Sequence, residues 1–215
     1  YLVAAIFEAA GVPAGVIGTL GCRIGNRQLP ALNTTPSANE LQELFAQMAH
    51  AGMKAVSLEV SSHSLMQSRV DEVAWDAAVF MNLTQDHLDY HRSMGEYFKA
   101  KRKLFEQLGG GAKKAVAILN ADDPRADEMR KALRPGVRAV TFGLKQGVDV
   151  HAKDVEYSID GSRFRFCASR GVACSGQADE VDTEMRTALC GAHNVSNCLA
   201  AGATAHGRSE LSLPG

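Results

Sequence analysis

The chain has 215 residues, of which 46% are hydrophobic and 22% charged, and its formal net charge is -1. This is the profile of one soluble globular domain, and a near-zero charge gives no electrostatic support for a nucleic-acid or acidic-membrane role. The longest apolar runs, Tyr1 to Phe7 and Ala115 to Leu119, fall far short of the roughly 20 residues that a membrane-spanning helix needs, and no secretory signal pattern is visible.

Tyr1 to Gly11 reads as most of a helix already under way, closed by a glycine and by Pro13. Ala14 to Leu20 follows as a short strand punctuated by Gly15, Gly18, Gly21 and Gly25, which do not form a phosphate-binding G-x-x-x-x-G-K-[ST] loop. Asn33-Thr34-Thr35-Pro36-Ser37 leads into an amphipathic helix from about Ala38 to Ala51, with Leu41, Leu44, Phe45 and Met48 on one face. Ser37 is the expected N-cap. Thr34 and Thr35 have two readings: helix-entry chemistry, or hydroxyls and backbone N–H groups that hold an anion.

Lys54 to Val60 is the next strand and ends in Glu59-Val60-Ser61-Ser62-His63, a donor set at a strand's C-terminal end that suits a hard divalent cation or a phosphate ester. A Ser/His hydrolase lacks its G-x-S-x-G elbow here. Gln67, Arg69 and Asp71 follow in a polar loop, where Arg69 is either a bidentate clamp for a carboxylate or phosphate or a surface ion pair. Ala77 to Leu83 reads as a buried strand, and Thr84 to His91 as the loop at its C-terminal end, where open α/β sheets bind ligands. Asp86, His87, Asp89 and His91 crowd into that loop. On the helix from Met94 to Leu108, Lys99 and Lys103 share one face, whereas Lys101 is flanked by Tyr97 and Phe105 and faces inward, where low polarity favours a neutral amine.

Beyond the Gly109-Gly110-Gly111 turn, the strand Ala115 to Leu119 ends in Asn120-Ala121-Asp122-Asp123-Pro124, a helix runs through Leu133, and Val137 to Phe142 forms another strand. From Val148 the pattern alternates, and Ser158 to Ser162 is the turn of an antiparallel hairpin that joins Val150–Tyr157 to Arg163–Cys167. Met185 to Leu189 adds a strand, and Gly191 to Asn197 opens an Ala-rich helix that ends near Ala205. Cys22, Cys167, Cys174, Cys190 and Cys198 contain no C-x-x-C pair, so a reduced, cytoplasmic protein is expected, without a zinc site or a disulfide framework.

In their order and spacing these motifs resemble the Mur ligase family. The match is carried by Val16-Ile17-Gly18-Thr19, Asn33-Thr34-Thr35-Pro36, Glu59-Val60-Ser61-Ser62-His63 with Gln67 and Arg69, Phe80 to His91, Tyr97 with Ala100-Lys101, Asn120-x-Asp122-Asp123, and Gly191-x-His193-Asn194-x-x-Asn197. The resemblance implies an α/β fold, a mostly parallel Rossmann-like sheet flanked by helices, with a small antiparallel hairpin region. It implies the central ATP-binding domain over residues 1–208 with a tail at 209–215, without the family's phosphate loop and without its N-terminal uridine-binding and C-terminal amino-acid-binding domains. The isolated chain is therefore expected to be inactive.

For chemistry, the resemblance implies ATP-dependent amide ligation. UDP-MurNAc-L-Ala-D-Glu is activated as an acyl phosphate, which the amino group of meso-diaminopimelate or L-Lys then attacks. Glu59 and His87 match magnesium ligands, and Lys101 matches a lysine carbamylated by carbon dioxide whose carbamate reaches the metal. These three form the implied catalytic set. Asn33, Thr34, Thr35, Ser61, Gln67 and Arg69 match substrate-binding positions, and Asn82, Asn120, Asp122, Asn194 and Asn197 match nucleotide contacts. His193 departs from the pattern, standing where an aromatic residue is expected. The rival expectations are a non-catalytic binding module on the same scaffold, another ligase of this fold such as a folylpolyglutamate or cyanophycin synthetase, and a metal-dependent hydrolase.

Overall fold

The structure, a computed structural model, describes residues 1–84, 91–111, 113–169 and 180–209. Asp86, His87, Asp89, Cys174 and the tail from 210 lie outside the described residues. By its internal contacts the chain divides into two units, Tyr1–Ala74 with Thr84–Gln107, and Trp75–Leu83 with the residues from Leu108 on.

In the first unit, helix α1 (Leu2–Ala9) ends where Gly11 turns to φ +77°, a left-handed conformation that costs glycine nothing. Strand β1 (Ala14–Gly18) is buried along its whole length, and Ala4 and Phe7 of α1 pack against its Ala14 and Val16. β1 pairs antiparallel with β2 (Gly21–Ile24), which pairs antiparallel with β3 (Arg27–Leu29). The glycines that punctuate this stretch, a pattern of close backbone packing or of turns, stand partly in a hairpin: Gly18 pairs with Gly21 across Thr19 and Leu20, and Gly21 has φ +116°. These two strands had no legible pattern in the sequence, since three or four residues are too few to show alternation.

Helix α2 (Ala38–His50) buries Leu41 and Met48. Met48 lies over Gly15, where a Cβ would come 2.5 Å from its Sδ. At the start of α2, the Glu40 carboxylate accepts from the Ser37 backbone N–H at 2.9 Å and from its hydroxyl at 2.6 Å. These two bonds hold the Glu40 carboxyl below the usual carboxylate range, the hydroxyl having the larger effect. Strand β4 (Ala55–Leu58) runs parallel to β1 and completes the order β3-β2-β1-β4. Between β4 and the turn that carries Gln67, Arg69 and Asp71 lies a short helix that the sequence reading did not give, α3 (Ser62–Met66), which packs on α4 (Met94–Gln107). Five residues are too few to show a helical period; in the structure Ser61 is the N-cap.

The second unit holds six strands in the order β10-β9-β8-β7-β6-β5. β5 (Ala77–Phe80), β6 (Val116–Asn120), β7 (Arg138–Gly143) and β8 (Val150–Ser158) are parallel, whereas β9 (Gly161–Ser169) and β10 (Glu180–Thr187) continue antiparallel. β6 is buried at all five positions, as its unbroken apolar run predicts for a strand covered on both faces. Helix α5 (Ala126–Lys131) packs on β6, and α6 (Ala192–Ser209) lies across β5 to β9. On the outer face of the hairpin, Arg163 pairs with Glu156, Arg165 with Asp182 and Arg186 with Glu184. The expected fold class therefore holds, with the strands divided between a four-stranded and a six-stranded sheet.

Candidate active site

Two adjacent parallel strands of the first unit, β1 and β4, release their chains at the same sheet edge, Thr19 after β1 and Glu59 after β4. Glu59 turns its carboxylate back over β1, accepting from the Thr19 N–H at 3.0 Å and from the Thr19 hydroxyl at 2.7 Å. The Thr34 hydroxyl lies 3.1 Å from that of Thr19. Gly18 makes this approach possible, because a Cβ there would stand 2.6 Å from Glu59 Cδ.

Thr35 is buried and ties the loop before α2 to the end of β4. Its hydroxyl donates to the Glu59 carbonyl at 2.8 Å and accepts from the Ser61 N–H at 3.0 Å. Ser61 caps α3 by accepting from the Ser64 N–H at 3.2 Å. Arg69 is tied into the loops around it. Its Nε and Nη2 donate to Gln67 Oε1, and its Nη1 donates to the Thr35 carbonyl at 2.8 Å. The fork thus braces the loop that carries Asn33 and Thr34.

These residues line one cavity of about 590 Å³, whose wall includes Asn33, Thr34, Thr35, Glu59, Ser61, Gln67, Arg69 and Lys101. All the substrate-binding positions expected from sequence, and two of the three expected catalytic ones, therefore meet; the third, His87, lies outside the described residues. Thr19 and Tyr97 join the wall without having been given a site role, and with them come Val60, Ser62 and His63 of the donor set read at the end of the strand. Thr19 and Tyr97 stood in the quoted motifs, but only the fold shows what they touch. Lys101 is partly buried, as its inward face predicts, and its Nζ stands 4.9 Å from the centre of the Tyr97 ring. No group of three or more His, Cys, Asp or Glu side chains converges among the described residues. Magnesium does not require one, since it is commonly held by one or two carboxylates with phosphate oxygens and water, a donor set that Glu59 fits.

The expected nucleotide contacts belong to the second unit. Asn82 follows β5, Asn120 ends β6, and Asp122 lies just beyond it. Asn120 donates to the Met81 carbonyl at 2.6 Å and accepts from the Asp122 N–H at 3.0 Å, so both ends of its amide brace the strand ends. Asp122 Oδ2 accepts from the Leu144 N–H at 2.6 Å, while its Oδ1 is buried without a hydrogen-bond partner. An unpaired buried carboxylate oxygen calls for a donor. On the first turns of α6, Asn194 donates to the Cys190 carbonyl at 2.9 Å, and Asn197 donates to Asn194 Oδ1 at 3.3 Å. His193 Nε2 lies 3.0 Å from Asn194 Nδ2.

Residues 1–205 match the Mur ligase middle domain model. The chain belongs to the Mur ligase family. It is 40% identical over 204 residues to the UDP-N-acetylmuramoyl-L-alanyl-D-glutamate--2,6-diaminopimelate ligase of Geobacillus thermodenitrificans, covering 94% of this chain and 39% of that protein. It is 42% identical over 206 residues to the ligase of the same name from Chlorobaculum tepidum, with coverage of 93% and 38%. A solved structure of a ligase of that name superposes with a TM-score of 0.80 at 31% identity, over 98% of this chain and 40% of that one. The chain thus spans about two fifths of the length of the relatives it matches.

Proposed function

We propose that the protein containing this chain is an ATP-dependent ligase that joins the amino group of a diamino acid to the D-Glu carboxylate of UDP-MurNAc-L-Ala-D-Glu, in the cytoplasm, for peptidoglycan synthesis. The observation that carries this reading is the convergence of Glu59, Lys101 and the Asn33–Thr35, Ser61, Gln67 and Arg69 set on one cavity. The relatives are named for 2,6-diaminopimelate, which favours meso-diaminopimelate over L-Lys.

In this reading residues 1–208 act as the central ATP-binding domain. The substrate occupies the cavity, where Asn33, Thr34 and Ser61 offer donors and acceptors and Arg69 keeps their loop in place. ATP is held through Asn82, Asn120, Asp122, Asn194 and Asn197. Glu59, the Lys101 carbamate and His87 would hold magnesium, which when bound neutralises phosphate charge. The polar wall orients the carboxylate for phosphorylation and then the acyl phosphate for attack by the amine, so catalysis is chiefly positioning and electrostatics.

The test is to express the full-length protein and supply ATP, Mg²⁺, UDP-MurNAc-L-Ala-D-Glu and either diamino acid, following amide product and phosphate release together. Turnover with meso-diaminopimelate is expected, falling by about 100-fold or more in Lys101→Ala and in Glu59→Gln. Binding of the UDP-linked substrate without ATP-dependent product from either diamino acid would overturn the ligase reading in favour of a binding module.

A further inference from the structure

A run of buried side chains leads from the cavity wall into the first unit. His91 is 4% exposed, Ser62 2% and Tyr97 5%. His91 Nε2 lies 2.8 Å from Ser62 Oγ. The imidazole also stacks on the Tyr97 ring, with 5.1 Å between centroids and 23° between planes. Tyr97 in turn carries Lys101 Nζ 4.9 Å from its ring centre.

A buried imidazole with a bonded nitrogen is an ordinary packing feature. This one connects two parts of the site. Ser62 opens α3 directly after the Glu59-Val60-Ser61 turn, while Tyr97 and Lys101 stand one turn apart on the same face of α4. A lysine has a long, flexible stem, so a surface that it lies on helps to fix its amine at a cavity wall. The Tyr97 ring is such a surface, and the imidazole stacked on it limits the ring's orientation.

We propose that His91 is a positioning residue of the active site: it pins the start of α3 to α4 and holds Tyr97 in the orientation that keeps the Lys101 amine at the wall shared with Glu59 and Ser61. The functional weight of this pin rests on the reading of Lys101 as an active-site amine. Its geometric content stands apart from that reading.

The test uses the full-length protein with lysine labelled with carbon-13 at the ε-carbon, the Lys101 signal being assigned by its loss in Lys101→Arg. Protons over an aromatic face shift upfield, so the ε-methylene shift of Lys101 reports its place on Tyr97 without reference to turnover. In His91→Ala this displacement is expected to vanish. There kcat should fall about tenfold, since small misplacements of a reacting group are costly. KM for the UDP-linked substrate should stay within about twofold, because loss of positioning acts on the transition state rather than on binding.

His91→Phe keeps a ring that can stack and should restore most of the displacement, which a general loss of packing would not do. An unchanged Lys101 shift in His91→Ala, or one no better in His91→Phe, overturns the proposal. If His91→Ala does not fold, Ser62→Ala decides: the variant deletes a single oxygen, and a Lys101 shift identical to the parent's refutes the pin. Full turnover in Lys101→Ala would instead refute the active-site reading of that lysine and leave the shift measurement valid.

Discussion

The two units use their polar side chains in opposite ways. In the first, Glu59, Thr34, Ser61 and Lys101 sit around a cavity of about 590 Å³, with Thr19, Thr35 and Arg69 of the same wall bonded to the residues and loops that carry them. In the second, Asn120 and Asp122 turn most of their hydrogen-bonding capacity inward to close the ends of β5, β6 and β7, leaving a single buried carboxylate oxygen unpaired. One set of groups is arranged around a space, the other around the backbone. Substitutions in the first unit should therefore separate activity from stability, whereas those in the second should tie them together.

The largest expected effect belongs to the core of the second unit. Phe142 on β7 is fully buried, and Phe142→Ala should cost about 3–5 kcal/mol in urea unfolding of the chain, by lost burial and the cavity left behind. A cost below about 1 kcal/mol would mean that this strand is not part of the tightly packed layer.

Gly18→Ala sharpens the contrast from the other side. The added Cβ would fall 2.6 Å from Glu59 Cδ and 2.8 Å from its Oε1, the far end of a flexible side chain that can swing away. Unfolding stability should stay within about 1 kcal/mol of the parent, while full-length turnover falls by about tenfold or more as the carboxylate leaves Thr19. Equal losses of stability and activity would show that the glycine serves packing alone.

The smallest effect lies at the entry to α2. The Glu40 carboxyl is held below its ordinary range by the Ser37 hydroxyl and backbone N–H, so its contribution is present above the pKa of the unfolded carboxyl and is lost as pH falls through the folded one. The melting temperature of Glu40→Gln should lie slightly below that of the parent near neutrality, and the two should converge in acid. Asp182, held down chiefly by its bond from Arg165, carries the same sign on the outer face of the hairpin. A Glu40→Gln deficit that persists unchanged into acid would assign the effect to the shape of the cap rather than to its charge.

Much of this was legible in the chain itself. The continuous apolar run at Ala115 to Leu119 announced a strand, and the alternation after Val148 with its Ser158 to Ser162 turn announced the hairpin, because a period and a turn residue are local properties. The motifs from Asn33 to Lys101 likewise marked the side chains of the cavity, since each motif already holds the polar residues its chemistry needs. The tertiary structure alone decided what lay between them. β2, β3 and α3 are too short to carry a period, the place of Thr19 under Glu59 depends on two strands 40 residues apart in sequence, and the bonds from Arg69 to Gln67 and the Thr35 carbonyl depend on how one loop folds over another. Local pattern specifies which residues are available; which of them meet is set by long-range packing, which brings together groups that no spacing along the chain connects.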